Sequence, residues 1–111
     1  MEIDFPARLR EALDNYEKFG LEYADLKGKC KQLEESKKSV LAKQMIKHDG
    51  SMAEREMIAR CSDAYDIHIK GLAGGVSEEE KKKVWRDKWK MEHQTLISLM
   101  SMEKEKMKEI M

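Results

Sequence analysis

A single proline, Pro6, and six glycines are all the strong turn-formers this 111-residue chain has. Their scarcity, set beside 40% charged and 41% apolar residues, matches long helices or coiled coils rather than a compact globule. Cysteine is nearly absent too. Cys30 and Cys61 are too few for a disulfide scaffold, and neither belongs to a C-x-x-C pair, so both read as small buried hydrophobes with free thiols. Charge of one sign is missing: 22 basic and 22 acidic residues cancel, which removes the simplest basis for a nucleic-acid or anionic-membrane binder. No apolar run reaches the roughly 18 residues a membrane span requires. The start, Met1-Glu2-Ile3-Asp4-Phe5-Pro6, lacks a signal peptide's basic region and apolar core, so a cytoplasmic protein is expected.

Disorder is the competing reading of so much charge. It fails because the apolar residues recur at helical spacing. Ala12, Tyr16, Phe19, Tyr23, Leu26, Cys30 and Leu33 alternate four and three apart, an a/d seam. Lys37 interrupts it, and Val40, Leu41, Met45 and Ile46 resume it. Pro6 fits a first helical turn and Asp4 a cap, so the first helix is predicted over about 6–48, roughly 60 Å at 1.5 Å per residue.

The clearest punctuation is His48-Asp49-Gly50-Ser51. Asp-Gly is a turn dipeptide, and Gly50 can take the left-handed conformation that ends a helix. Ser51-Met52-Ala53-Glu54 then reads as a capping box. The second helix, about 52–110, carries Ile58, Cys61, Tyr65, His68 and Leu72 on its seam. Gly71, Gly74 and Gly75 weaken it, and Ser77-Glu78-Glu79-Glu80 offers a fresh start, so a split at 73–77 giving a third helix competes with continuity. Continuity is favoured because the same register reaches Trp89, His93, Leu96, Met100, Met107 and Ile110, although Glu79, Lys82 and Arg86 occupy the seam in between. The fold class is therefore all-α: one domain, 1–111, built as a long antiparallel helical hairpin resembling a coiled coil.

Charge blocks support the reversal. Residues 1–26 hold seven acidic and three basic residues (−4), and 27–48 hold two and seven (+5). Residues 49–80 hold eight and three (−5), and 81–111 hold five and nine (+4). Folding back at residue 50 sets opposite blocks side by side, whereas a parallel dimer of the first helix would set like blocks together. Single exposed pairs are worth only ~0–1 kcal/mol, so the pattern, not any pair, argues for the hairpin. In this register Cys30 faces residue 70 and Cys61 residue 39, ~13 Å apart along the axis and beyond disulfide reach. Tyr16, Phe19 and Tyr23 come close to Gly74 and Gly75, whose missing side chains would admit the rings. Residues from about 94 onward have no partner within the chain.

That overhang points to function. Leu96, Leu99, Met100, Met107 and Ile110 make it a candidate oligomer or partner interface, because an unpaired helix with this much apolar surface is marginal alone. Homodimerisation through the C-terminal helix is the expected answer, with adaptable Met-mediated binding of another protein and a frayed, partly disordered tail as the alternatives. A second candidate is Lys81 to Lys90. Lys81, Lys82, Lys83 and Arg86 could contact phosphates while Trp85 and Trp89 stack on bases. The competing reading packs the tryptophans on the first helix and leaves the lysines in solvent.

Catalysis and metal binding find no support. His48, His68 and His93 form no H-x-x-x-H pair, and zinc needs three or four converging ligands. Cys61 and His68, seven apart, lie some 10 Å apart along a helix, too far for a nucleophile–base hydrogen bond. No P-loop, Rossmann or G-x-S-x-G pattern occurs. No catalytic residue, metal or cofactor is expected, and His68 reads as a satisfied seam histidine.

Ser51-Met52-Ala53-Glu54-Arg55-Glu56, then Tyr65 and His68-Ile69-Lys70-Gly71-Leu72, resembles small uncharacterised helical-hairpin proteins encoded by bacteriophages and prophages. Lys38-Ser39 and the tryptophan-rich stretch followed by a Ser-containing basic helix fit the same pattern. Gly74-Gly75 stands where such proteins tend to carry Ala and Glu, which leaves helix continuity open there. The resemblance implies a small phage accessory protein, often encoded near recombination genes, and supplies no catalytic residues. Expected roles are thus a helical interaction protein, a nucleic-acid-associated accessory factor, or an inhibitor of a host protein.

Overall fold

The computed structural model describes residues 3–110, with the side chain of Ile110 outside the description. The chain is all-α, in the order α1 (Phe5–Met45), α2 (Met52–Arg60) and α3 (Asp63–Ile110). It forms two compact units, one of residues 24–79 and one of residues 1–23 with 80–111. In each, α1 runs antiparallel to the returning helices.

Local chemistry fixes the ends. The Asp4 Oδ1 accepts from the Ala7 N–H at 3.2 Å, so Asp4 caps α1 and Pro6 sits where its missing donor costs nothing. At the other end α1 tightens into three-residue turns, Lys47 N–H to Gln44 and His48 N–H to Met45, and stops three residues short of expectation. Gly50 has φ 121°, the left-handed region open to glycine. Ser51 is extended (φ −66°, ψ 162°) and its hydroxyl accepts from the Glu54 N–H, the cap predicted there.

The second helix does divide, but at Cys61-Ser62 and not at 73–77. Ser62 Oγ donates to the Ala59 carbonyl at 2.6 Å and accepts from the Tyr65 N–H at 3.3 Å, ending one helix and capping the next. Asp63 and Asp66 then supply first-turn negative charge at the positive end of α3. Beyond them α3 runs unbroken through Gly71, Gly74 and Gly75.

The α1 seam is where its periodicity placed it: every residue from Ala12 to Leu33 in that stripe is buried or half-buried. On the returning side the buried stripe is Ala59, Ser62, Tyr65, His68 and Leu72, one position off at its start. Ile58 (43% exposed) and Cys61 therefore face outward, as does Ile46 beyond the end of α1. Of the two cysteines only Cys30 is buried, and both are free thiols. Glu79, Lys82 and Arg86 do lie in the seam, half-buried, as their register requires.

Within residues 24–79, His68 Nε2 donates to the Leu33 carbonyl at 2.7 Å, a satisfied seam histidine. Gly75 approaches Cys30 rather than an aromatic ring. Gly75 thus admits a thiol, not a ring as expected; Phe19, within its own unit, stacks on Trp85 instead. The buried hydrophobic core among the described residues is Ala12, Cys30, Ala59, Tyr65 and Leu96, and none of its large side chains is completely enclosed. A pair of helices has too few layers to enclose them.

Candidate interaction surface

Within residues 1–23 and 80–111, the basic stretch of α3 separates by helical face. Lys82 and Arg86 turn toward α1. Lys82 Nζ stands 2.8 Å from the Glu22 carboxylate and 5.5 Å from the centroid of the Phe19 ring. The hydrogen bond from Lys82 holds the Glu22 carboxyl below the usual carboxylate range; burial opposes this, and the Lys82 and Lys18 charges reinforce it. Arg86 lies over the Tyr23 ring at 4.6 Å and also reaches Asp87 at 3.0 Å. Gly20 leaves room beside the Arg86 stem, where a Cβ would stand 3.8 Å from its Cδ. Lys82 and Arg86, which interrupt the seam, are thus held by cation–π contacts and two ion pairs.

Trp85 stacks on Phe19, with centroids 5.8 Å apart and planes at 21°, yet stays 45% exposed. Trp89 is half-buried, and its indole N–H has no acceptor among the described residues. Lys88 Nζ bridges the two rings, 4.7 Å from Trp85 and 5.1 Å from Trp89. Lys81 and Lys83 are exposed. Of the six residues proposed for nucleic acid, Lys81 and Lys83 are exposed, Trp85 is partly exposed although it stacks on Phe19, Lys82 and Arg86 contact α1, and Trp89 is half-buried.

The C-terminal candidates divide as well. Leu96 is only 3% exposed: it belongs to the chain's own core and is not available to a partner. The burial of Leu96 takes the intrachain pairing past residue 94, and the contacts are not in one register along the pair. Arg8 meets Glu92 at 3.4 Å, as folding back at residue 50 requires, but Phe19 meets Trp85 and Glu22 meets Lys82, a few residues later on α3. Arg8 and Glu92 also pair against the sense of their blocks. Met100 is half-buried, Leu99 is 37% exposed and Met107 62% exposed. From Ser101 to Glu109 every residue is exposed.

Sequence reasoning missed two further exposed apolar groups. Val84 (66%) and Met91 (67%) line a shallow open groove on α3 with Asp87, Lys88, Glu92 and Thr95. Met52 and Met57, both 69% exposed, lie on the outer side of α2. Their positions off the seam register were the available signal. Among the described residues, no three His, Cys, Asp or Glu side chains converge to hold a metal, and no helix is long and apolar enough to cross a membrane. Compared with protein families, curated proteins and solved structures, the chain matches none.

Proposed function

We propose that the chain is a non-enzymatic helical protein–protein interaction protein that forms a homodimer through α3 beyond Leu96. One observation carries this reading: α3 keeps its seam register through Met100 and Met107, yet residues 101–109 are exposed throughout. A helical segment of that length is marginal in water without packing. Burying its methionines against another helix gains roughly 25 cal/mol per Å² of apolar surface, and the flexible thioether tolerates imperfect fit. Light scattering coupled to gel filtration tests it. The full chain should run as a dimer, and Met102→Glu with Met107→Glu should give a monomer of unchanged helicity. A full chain that stays monomeric at high concentration refutes the proposal.

A second reading has its own observation. Trp85 is 45% exposed beside Lys88, with Lys81 and Lys83 outward on the same stretch, which suits base stacking and phosphate contact. A nucleic-acid-associated accessory role predicts salt-dependent binding of single-stranded DNA that is lost in Lys81→Glu with Lys83→Glu and Trp85→Ala. No binding at low salt removes it. The resemblance to phage and prophage proteins is compatible with both readings.

A further inference from the structure

We infer that the second copy lies antiparallel on the exposed end of α3, with the two-fold axis between Lys104 and Glu105. This rests on the self-association proposed above and specifies its geometry. The segment reads Met102-Glu103-Lys104-Glu105-Lys106-Met107, and its charge order is self-complementary when reversed. About that axis Glu103 faces Lys106 of the second copy and Met102 faces Met107, four positions that share one face of the helix. All four of these side chains are exposed in the single chain. A closed two-fold contact requires such self-complementarity, because one patch must recognise itself.

Parallel pairing has the opposite character. It sets Glu103 and Lys106 each beside its own copy, and it also brings residues 81–90 of the two chains alongside. That stretch holds six basic residues and one acidic residue, a net +5. Antiparallel overlap carries the two α1–α3 pairs away from the shared segment in opposite directions, so these like charges stay apart. Leu96 is 3% exposed and Met100 half-buried, whereas every residue from Ser101 to Glu109 is exposed, so the second helix has room from there.

Sedimentation equilibrium on the full-length chain, with charge reversals, tests the arrangement. Symmetry makes each substitution strike two contacts, so Glu103→Lys or Lys106→Glu alone should weaken dimerisation about tenfold or more. The double variant, Glu103→Lys with Lys106→Glu, should recover dimerisation to within about threefold of the original. Loss of the Glu103–Lys106 attraction within one helix accounts for less than about threefold. Spin labels at Ser98 should lie more than about 20 Å apart, because thirteen residues separate Ser98 from its facing position at 1.5 Å each. A label separation near 10 Å, or a double variant weaker than either single one, overturns the antiparallel register while leaving self-association standing. A full chain that is monomeric at every concentration overturns both.

Discussion

Gly75 on α3 lies so close to Cys30 on α1 that a Cβ added to it would stand 3.0 Å from the Cys30 sulfur. Gly74, its neighbour, has nothing within 4 Å of the same position. The two glycines therefore do different work. Gly74→Ala should raise stability by about 0.5–1 kcal/mol, the helical advantage of alanine over glycine. In Gly75→Ala that gain is opposed by overpacking against a buried sulfur, so the variant should be less stable than Gly74→Ala. Adding Cys30→Ala should relieve the crowding in a double-mutant cycle. Urea unfolding followed by circular dichroism measures all of these; equal effects of the two alanines would refute the close approach.

The two thiols should differ in reactivity. Burial, with the hydrogen bond and charge of Glu79 added to it, pushes the Cys30 thiol above its ordinary range, whereas Cys61 is exposed. Only the thiolate attacks, so a chromogenic disulfide at pH 8 should label Cys61 quickly and Cys30 much more slowly. Because the folded-state value is raised, Cys30 stabilises the fold below the unfolded thiol's pKa, and that contribution is lost as pH rises through the folded value. Peptide mapping of the labelled chain identifies the site, and prompt labelling at Cys30 would contradict its burial.

The Glu22–Lys82 pair makes the fold acid-sensitive. The Glu22 carboxyl is held low by Lys82, so the pair stabilises the folded chain above the unfolded carboxylate's pKa. That contribution is lost as pH falls through the folded value. Glu22→Gln should lower the melting temperature at pH 7, and the gap between variant and original should narrow progressively as pH falls below the unfolded carboxylate's pKa. A gap that persists unchanged into acid would show that the charge on Glu22 is irrelevant.

Much of the fold is legible in residue spacing. The α1 seam needs only period and the absence of an interior proline, and Asp4, Gly50 and Ser51 cap and turn by chemistry that is local to them. The break at Ser62 was harder to see. Tyr65, His68 and Leu72 continue the stripe read from Ile58, so the pattern concealed a cap that Ser62-Asp63 could have signalled. Glycines drew attention to 73–77, where packing outweighs their helical cost. The basic stretch was legible as a stretch, but which lysines turn toward α1 depends on Phe19, Tyr23 and Glu22 across the pair, which no local pattern reports.

Ser62 gives the third helix its start, and its loss should be measurable. Its hydroxyl both donates to Ala59 and accepts from Tyr65. Ser62→Ala should cost about 1 kcal/mol, the usual range for a lost cap being about 0.5–2 kcal/mol, while Ser62→Asp should keep most of it by accepting from the same N–H. Thermal unfolding compares them, and an alanine variant as stable as the original would refute the cap.

Leu96 separates folding from association. With 3% exposure it is held by its own chain, whereas residues 101–109 are exposed throughout. A chain ending at residue 98 keeps Leu96 and should unfold at nearly the original urea concentration while losing dimerisation. A chain ending at residue 94 loses a buried leucine as well, for which Leu→Ala substitutions set a scale of about 2–5 kcal/mol. The two truncations, compared by urea unfolding where the full chain is monomeric and by light scattering where it is dimeric, therefore should differ in stability and both run as monomers. Equal stability would mean that Leu96 is not part of the core, and the boundary between the folded pair and the associating segment would have to move toward residue 94.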